Sequence, residues 1–151
     1  AHITGRYGLV ATAALGATLK VISITVGHAD LTASALTQTL TIGSVSSGAR
    51  LAYQGWRCDP LFSGGGVATL DMDIGWAGAN AALADGSAFG MDLVSGNFGS
   101  AQPWGIGGGT DQDFRSIGGK TVTVTFTATG ANLDGLSAGS IYIEVGYFIP
   151  A

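Results

Sequence analysis

Apolar and polar residues alternate with a period of two through most of the chain, and glycine-rich turns interrupt the alternation. The clearest example runs from Lys120 to Thr129, where Val122, Val124 and Phe126 are separated by threonines. Successive side chains of a strand point to opposite faces of its sheet. The pattern therefore predicts a half-buried strand with an apolar face against the core and a threonine face presented outward.

Six further segments follow the same rule. The predicted strands are Lys20–Val26, Leu36–Ile42, Arg50–Asp59, Val67–Trp76, a short run at Met91–Val94, and Ile141–Phe148. Within the third of these, the alternation places Leu51 and Tyr53 on one face and Gln54 and Trp56 on the other.

The last predicted strand differs because both of its faces are largely apolar. Ile141, Ile143, Val145 and Tyr147 form one face, and Tyr142 and Phe148 lie on the other. A strand that is apolar on two sides is expected at the centre of a sheet or at a subunit interface.

Helical signals are slight. Gly8–Ala17 and Ala77–Ala84 are rich in alanine, but both contain glycine, and we expect loops or single turns there. About seven strands separated by turns predict an all-β protein, an antiparallel β-sandwich or a jelly-roll-like barrel. We expect a single domain over residues 1–151, with residues 1–17 as an N-terminal arm.

The composition bears on possible partners. Only 11% of the 151 residues are charged, 26 are glycine, and the formal net charge is −4. The six Lys and Arg residues are scattered, which argues against binding of nucleic acid or of an anionic membrane. Residues 8–26 are too often interrupted by polar side chains to predict a membrane helix. So few charges suggest a surface covered by copies of the same chain or by a scaffold.

The segment Gly86–Gly119 is the least regular and contains ten glycines among several aromatic residues. The aromatic side chains could insert into neighbouring subunits as anchors, or they could cover one open end of the sandwich. The candidate interface residues of the chain are Phe98, Trp104, Phe114, Tyr142 and Phe148.

Two pairs of carboxylates could bind a cation. Asp71 and Asp73 are two apart on a predicted strand and so share a face, although a solvated polar face explains them more simply. Asp111 and Asp113 resemble the start of a calcium loop, but the glycine and the glutamate that should follow are missing. A glycine-rich turn with a capping aspartate is the preferred interpretation of that second pair.

Catalytic signals are weak. Cys58 is the single cysteine and is expected to be a small buried residue. Asp30 fits a capping position at the end of the first strand, beside His28. The sequence contains no nucleophile elbow, Walker motif, dinucleotide fingerprint or Cys/His metal spacing. It therefore predicts no catalytic, cofactor-binding or metal-binding residue, and a protein that is not an enzyme.

Several segments resemble a known group of proteins. They are His28-Ala29-Asp30-Leu31-Thr32, Leu70-Asp71-Met72-Asp73-Ile74-Gly75, and Ile141-Tyr142-Ile143-Glu144-Val145-Gly146-Tyr147. Over roughly residues 25–150 the chain resembles small β-sandwich structural proteins of tailed bacteriophage virions, notably head decoration and other minor capsid proteins.

The resemblance implies a subunit on the capsid surface. Its partners would be copies of itself, as a homotrimer, and a major capsid protein whose capsomers it cements. Ala1 is the residue that removal of an initiator Met would leave, which predicts synthesis in the host cytoplasm. Two alternatives remain open. The chain could be a tail, neck or fibre component or a small jelly-roll capsid protein. It could instead be a carbohydrate-binding sandwich that uses Trp56, Trp76 or Trp104 as a stacking platform.

Overall fold

A computed structural model describes residues 18–98 and 116–150. Over these residues seven strands form two antiparallel sheets, which confirms the predicted antiparallel β-sandwich. The strands are β1 (Leu19–Gly27), β2 (Thr37–Ser44), β3 (Arg50–Cys58), β4 (Thr69–Trp76), β5 (Ala79–Asp85), β6 (Thr121–Thr129) and β7 (Ser140–Phe148). One sheet has the order β1-β7-β3, and the other has the order β2-β6-β4-β5. The predicted arm, residues 1–17, and the predicted loop Gly8–Ala17 lie outside the described residues.

The core lies between the two sheets and follows the predicted alternation. On β6, Val122, Val124, Phe126 and Ala128 are all buried, while the threonines between them face away from the core. The ring of Phe126 packs against that of Phe62 with the centroids 6.4 Å apart and the planes tilted by 52°. Burial of these apolar side chains is the main favourable contribution to folding.

The strand that is apolar on both faces takes the central position of its sheet. β7 pairs with β1 on one side and with β3 on the other. Ile141, Ile143 and Val145 are fully buried toward the core. The expectation of a central position is therefore confirmed, because a central strand has no exposed edge and lies under neighbours on both sides.

The prediction of a loop at Ala77–Ala84 was wrong. Ala77 and Gly78 form a two-residue turn between β4 and β5, and Trp76 pairs with Ala79 across it. Gly78 has φ +85°, a conformation that glycine adopts without strain. The register then jumps, because Ile74 pairs with Ala84. This irregular pairing leaves β5 without the simple alternation that marks the other strands.

The predicted short strand at Met91–Val94 is not a strand. Ser87–Phe89 forms a 3-10 turn, and Asp92 makes only an isolated bridge to Asn97. The alternation there reflects burial instead, since Met91 and Leu93 both reach the core. Leu93 also donates its backbone N–H to Leu70 O, at 2.7 Å.

One predicted face assignment on β3 was also wrong. Leu51 faces the core, as does Gln54, whereas Tyr53 faces outward. A bulge between Leu51 and Tyr53 causes the change, because an extra residue reverses the direction of every side chain that follows. The helical segments of the described residues are 3-10 turns of three residues, and none has the length that a membrane crossing requires.

Candidate interaction surfaces

Each sheet has one face against the core and one face turned away from it. The outer face of the three-stranded sheet is called here the tyrosine face. It consists of Leu19, Val21, Ser23 and Thr25 on β1, Tyr142, Glu144, Gly146 and Phe148 on β7, and Arg50, Tyr53, Gly55 and Arg57 on β3. These residues form four rows across the sheet, with a β7 residue in the middle of each row.

Glu144 is at the centre of the tyrosine face, between two tyrosine hydroxyls. Tyr142 donates its hydroxyl to Glu144 Oε1 at 2.5 Å, and Tyr53 donates its hydroxyl to Glu144 Oε2. Hydrogen bonds to a charged acceptor favour the charged form. The pKa of Glu144 is accordingly lowered, chiefly by Tyr142 and then by Tyr53. Burial and the bond to Glu144 raise the pKa of Tyr53 to about 12.

Two glycines shape this face in different ways. A Cβ atom at Gly146 would lie 1.9 Å from Tyr53 Cε1, so the tyrosine ring occupies the space of the missing side chain. At Gly55 a Cβ atom would meet no atom within 4 Å. Glycine at 146 therefore lets Tyr53 reach Glu144, whereas glycine at 55 leaves open space beside Glu144.

At one end of the tyrosine face, β1 and β7 contribute apolar side chains next to Arg50 of β3. Leu19 pairs with Phe148, and Val21 pairs with Gly146. Leu19 is 39% exposed and Val21 is 47% exposed, which is high for large aliphatic side chains. Phe148, one of the predicted interface residues, is half-buried beside them, and Tyr142, another, lies at the opposite end. The face thus combines tyrosine, arginine and apolar side chains, the residue types common in protein interfaces.

The outer face of the four-stranded sheet is called here the aspartate face. It consists of Thr37, Thr39 and Thr41 on β2, Thr123, Thr125 and Thr127 on β6, Asp71, Asp73 and Gly75 on β4, and Asp85 on β5. Thr39, Thr125, Asp73 and Asp85 form one row across it. The hydroxyls of Thr39 and Thr125 share a hydrogen bond of 2.8 Å, and Thr125 is only 3% exposed.

The carboxylates of the aspartate face lie on the outer side, as predicted, but they are half-buried and not freely solvated. Asp73 accepts the backbone N–H of Gly86 at 2.9 Å. Asp71 Oδ1 is buried and has no hydrogen-bond partner among the described residues. Burial, reinforced by the nearby Asp73 and Asp85, raises the pKa of Asp71 to about 6. The pKa of Asp73 is also raised, mainly by burial.

A shallow depression of about 520 Å³ lies at one end of the aspartate face, lined by Thr39, Trp76, Ala77, Gly78, Asn80, Thr123 and Thr125. Trp76 lines this depression, but its side chain is half-buried and lies beside a lysine. It packs partly against the core, and the Lys120 ammonium lies 5.1 Å from the centroid of its ring. Trp56 also packs against the core, and Trp104 lies outside the described residues. The geometry therefore does not favour Trp56 or Trp76 as a platform for stacking sugars.

Of the remaining interface candidates, the structure describes Phe98 but not Trp104 or Phe114. Phe98 is 41% exposed and follows the Asp92–Asn97 bridge in a segment that belongs to neither sheet. Trp104 and Phe114 lie in residues 99–115, outside the described part, together with Asp111 and Asp113. The sequence reasoning did not identify Tyr53 and Glu144 as a pair. Only the bulge in β3 turns Tyr53 outward, and strict alternation contains no signal for it.

Cys58 and Asp30 have contacts that fit structural roles. Cys58 packs partly against the core, and burial raises the pKa of its thiol, which disfavours the nucleophilic thiolate. Asp30 Oδ2 accepts the backbone N–H of Gly27 at 2.8 Å, so Asp30 closes the turn after β1 as predicted. Among the described residues no group of three or more His, Cys, Asp or Glu side chains could hold a metal ion.

Comparison with known proteins gives one similarity of fold. No protein-family model and no curated protein sequence matches the chain. Among solved structures, the chain is similar to one in the structure titled "Cyanophage Pam1 capsid asymmetric unit". The TM-score is 0.58 and the sequence identity is 18%, and the alignment covers 89% of this chain and 86% of that one. At this identity the similarity concerns the fold.

Proposed function

We propose that the chain is a structural component of a tailed-phage virion and acts as a decoration protein that binds the head and stabilises it. The observation that carries the proposal is the similarity in fold to a chain from a cyanophage capsid asymmetric unit. The alignment covers 89% of this chain and 86% of that one, so the similarity extends over most of both chains. The segments that resemble virion proteins in sequence support the same role.

The two outer faces support a protein that works through contacts. The tyrosine face exposes large apolar side chains beside tyrosines and arginines, and the aspartate face carries rows of threonine hydroxyls. Only 11% of the residues are charged, so there is little electrostatic repulsion that would prevent these faces from binding other proteins. The proposal assigns the protein no catalytic step, and its partners are a major capsid protein and further copies of the chain in a homotrimer.

The proposed mechanism is stabilisation by binding. A protein that binds the assembled shell and not the dissociated subunits shifts the equilibrium toward the shell. At a free concentration of about one hundred times Kd, the shift is roughly 2.7 kcal/mol for each site. Many sites on one shell multiply this effect, which would counter the outward pressure of a packaged genome.

The test compares phage heads that lack the protein with the same heads after addition of the purified chain. We expect the chain to sediment with the heads and to raise the temperature at which they release DNA. Heads that bind no chain, or that bind it without any gain in thermal stability, would overturn the decoration role.

A label at the C-terminus of the chain separates the alternatives. Electron microscopy of virions should place the label on the head. A label on the tail or neck would make the chain a tail, neck or fibre component. Heads that cannot assemble without the chain would make it a shell-forming capsid protein, and selective binding on a glycan array would favour the carbohydrate-binding alternative.

A further inference from the structure

β1 is an edge strand whose free side is regular. Among the described residues β1 pairs with β7 alone, and the pairing runs from Leu19–Phe148 to Gly27–Ser140 without a shift in register. The nine residues of the strand include no proline. A long, regular and exposed edge is a template for pairing with another strand.

The other three edge strands each carry a feature that disfavours such pairing. The register shifts after Thr41 in β2 and after Leu51 in β3, and a bulge twists an edge away from an incoming strand. The pairing of β5 with β4 is irregular, and Leu83 O of β5 already accepts Gln54 Nε2 at 2.6 Å. Of the four edges that the described residues form, β1 is therefore the regular one.

Alternate residues of β1 direct their backbone groups toward β7 and away from it. At the end of the ladder, His28 N–H donates to Gly139 O at 3.0 Å, so His28 and every second residue before it face β7. The N–H and C=O groups of Val21, Ser23 and Thr25 therefore point to the free side. Backbone groups need hydrogen-bond partners, and a strand laid along this side would supply them.

The core is less well covered at β1 than at β7. Ile22 and Ile24 lie on the core side but are only half-buried, whereas Val145 and Ile143, their partners on β7, are fully buried. On the outer face, Val21 is 47% exposed. A further strand beside β1 would remove aliphatic surface from water on both faces, which favours its binding.

The occupant that this edge fits is the same strand of a second copy. Antiparallel pairing of β1 with itself over all nine residues places Ser23 opposite Ser23, on a two-fold axis. In that register Ile22 lies opposite Ile24 of the second copy, and Lys20 lies opposite its Val26. The single charge of the strand meets no like charge, because the two lysines are about 20 Å apart.

We propose that two copies associate by antiparallel pairing of their β1 strands around Ser23, which joins two three-stranded sheets into one. About six hydrogen bonds form, two at each of the three pairs that Val21, Ser23 and Thr25 make. A two-fold contact joins copies in pairs, so it would link one of the proposed homotrimers to another. The inference goes beyond the proposed function and does not depend on binding to a phage head.

The first test measures self-association of the full chain by sedimentation velocity over a micromolar concentration range. Ser23→Pro removes the N–H groups at the two-fold axis, and an edge strand tolerates proline where the N–H faces outward. It should raise the dissociation constant by about tenfold or more. Ser23→Ala is the matched control, because it removes the same hydroxyl but keeps the N–H, and it should change the constant by less than about twofold.

The second test locates the two-fold axis with disulfides. Ser23→Cys and Thr25→Cys are each combined with Cys58→Ser, and both positions are exposed on the same face of β1. In the proposed register the two Cα atoms at position 23 are about 5.5 Å apart, which a disulfide can span. Those at position 25 are about 14 Å apart. Mild oxidation should therefore give a covalent dimer of Ser23→Cys but not of Thr25→Cys.

Several outcomes would overturn the inference. A Ser23→Pro variant that folds, by circular dichroism, and dimerises like Ser23→Ala would place the contact on another surface. If Ser23→Pro does not fold, the disulfides decide, and equal cross-linking at both positions would exclude the register. A monomeric wild type with slow amide exchange at Val21, Ser23 and Thr25 would mean that residues 1–17 of the same chain cover the edge.

Head binding separates this inference from the proposed function. A chain that dimerises through β1 but does not bind heads would support the inference and remove the proposed function. A chain that binds and stabilises heads but stays monomeric throughout the concentration range would do the reverse.

Discussion

Two carboxylates on opposite sides of the sandwich have opposite environments. Glu144, on the tyrosine face, accepts two tyrosine hydroxyls, and its pKa is lowered. Asp71, on the aspartate face, has a buried oxygen without a partner among the described residues, and its pKa is raised to about 6. Hydrogen bonds to the charged form favour ionisation, whereas burial and neighbouring negative charge oppose it. The comparison shows that this chain's own hydroxyls satisfy Glu144, whereas one oxygen of Asp71 has no hydrogen-bond donor among the described residues.

The two faces also differ in how they use glycine. The space of the missing side chain at Gly146 is filled by the ring of Tyr53, a side chain that can move. The corresponding space at Gly75 is filled by backbone, since a Cβ atom there would lie 2.1 Å from Ala79 O. The backbone after the β4–β5 turn therefore lies directly against Gly75, whereas a side chain lies against Gly146.

The largest expected effect comes from Gly75→Ala. The added methyl group would collide with the backbone of Ala79 and Asn80, which cannot move without breaking the β4–β5 pairing. We expect a loss of about 3 kcal/mol in the free energy of unfolding, measured with urea. Gly55→Ala is the control, because its methyl group would enter open space and should change stability by less than about 0.5 kcal/mol. Equal stabilities of the two variants would contradict the close approach at Gly75.

The second effect is a dependence of stability on pH that arises from Asp71. Its pKa is raised from the ordinary value of 3.8, so the fold favours the protonated carboxyl. The stabilising contribution of Asp71 is therefore fully present below pH 3.8 and is lost as the pH rises through about 6. Because Asp71 is only partly buried, solvent screening limits the change to about 1 kcal/mol. We expect the free energy of unfolding to fall over this range.

Asp71→Asn is the variant that isolates this group. At neutral pH it should be more stable than the wild type by about 1 kcal/mol, and the fall in stability between pH 4 and 6 should become shallower. Glu144 acts in the opposite sense, because its lowered pKa gives a contribution that is lost as the pH falls below 4.5. If Asp71→Asn destabilises the protein at neutral pH, burial of the Asp71 charge, reinforced by Asp73 and Asp85, is not the dominant effect at this position.

The smallest effect concerns the hydrogen bonds of Glu144. Tyr53→Phe removes one hydroxyl and should cost about 0.5 kcal/mol of stability. A double-mutant cycle with Glu144→Gln should give a coupling of about 0.5 kcal/mol, measured by urea unfolding. The control cycle combines Tyr53→Phe with Asp71→Asn, on the opposite face, and should show additivity. A coupling near zero in the first cycle would mean that solvent satisfies Glu144 equally well.

The sequence predicted much of this fold because the alternation is strong where a strand has one buried face. On β6 the four apolar residues and the threonines took the predicted sides. The same reasoning failed at β5, where a two-residue turn and an irregular register hide the alternation, and at Met91–Val94, where buried residues alternate without strand pairing. The alternation of apolar and polar residues predicts which side chains are buried, but it does not predict which backbone groups pair.

The candidate surfaces were predictable only in part. The threonine row of β6, the pair Asp71 and Asp73, and the outer positions of Tyr142 and Phe148 follow from a period of two. A period of two does not predict the Tyr53–Glu144 hydrogen bond or the approach of Asp85 to Asp73. The first depends on a bulge, and the second depends on which strand lies beside β4.

By itself, the sequence determined that this chain forms antiparallel strands with one face toward a shared core and few charges outside it, because side-chain direction and hydrophobic burial are local properties of a strand. Only the tertiary structure decided how those strands are ordered into sheets. That order brings three aspartates together on one side and arranges the tyrosines and arginines on the other, because residues distant in the sequence meet only through strand pairing.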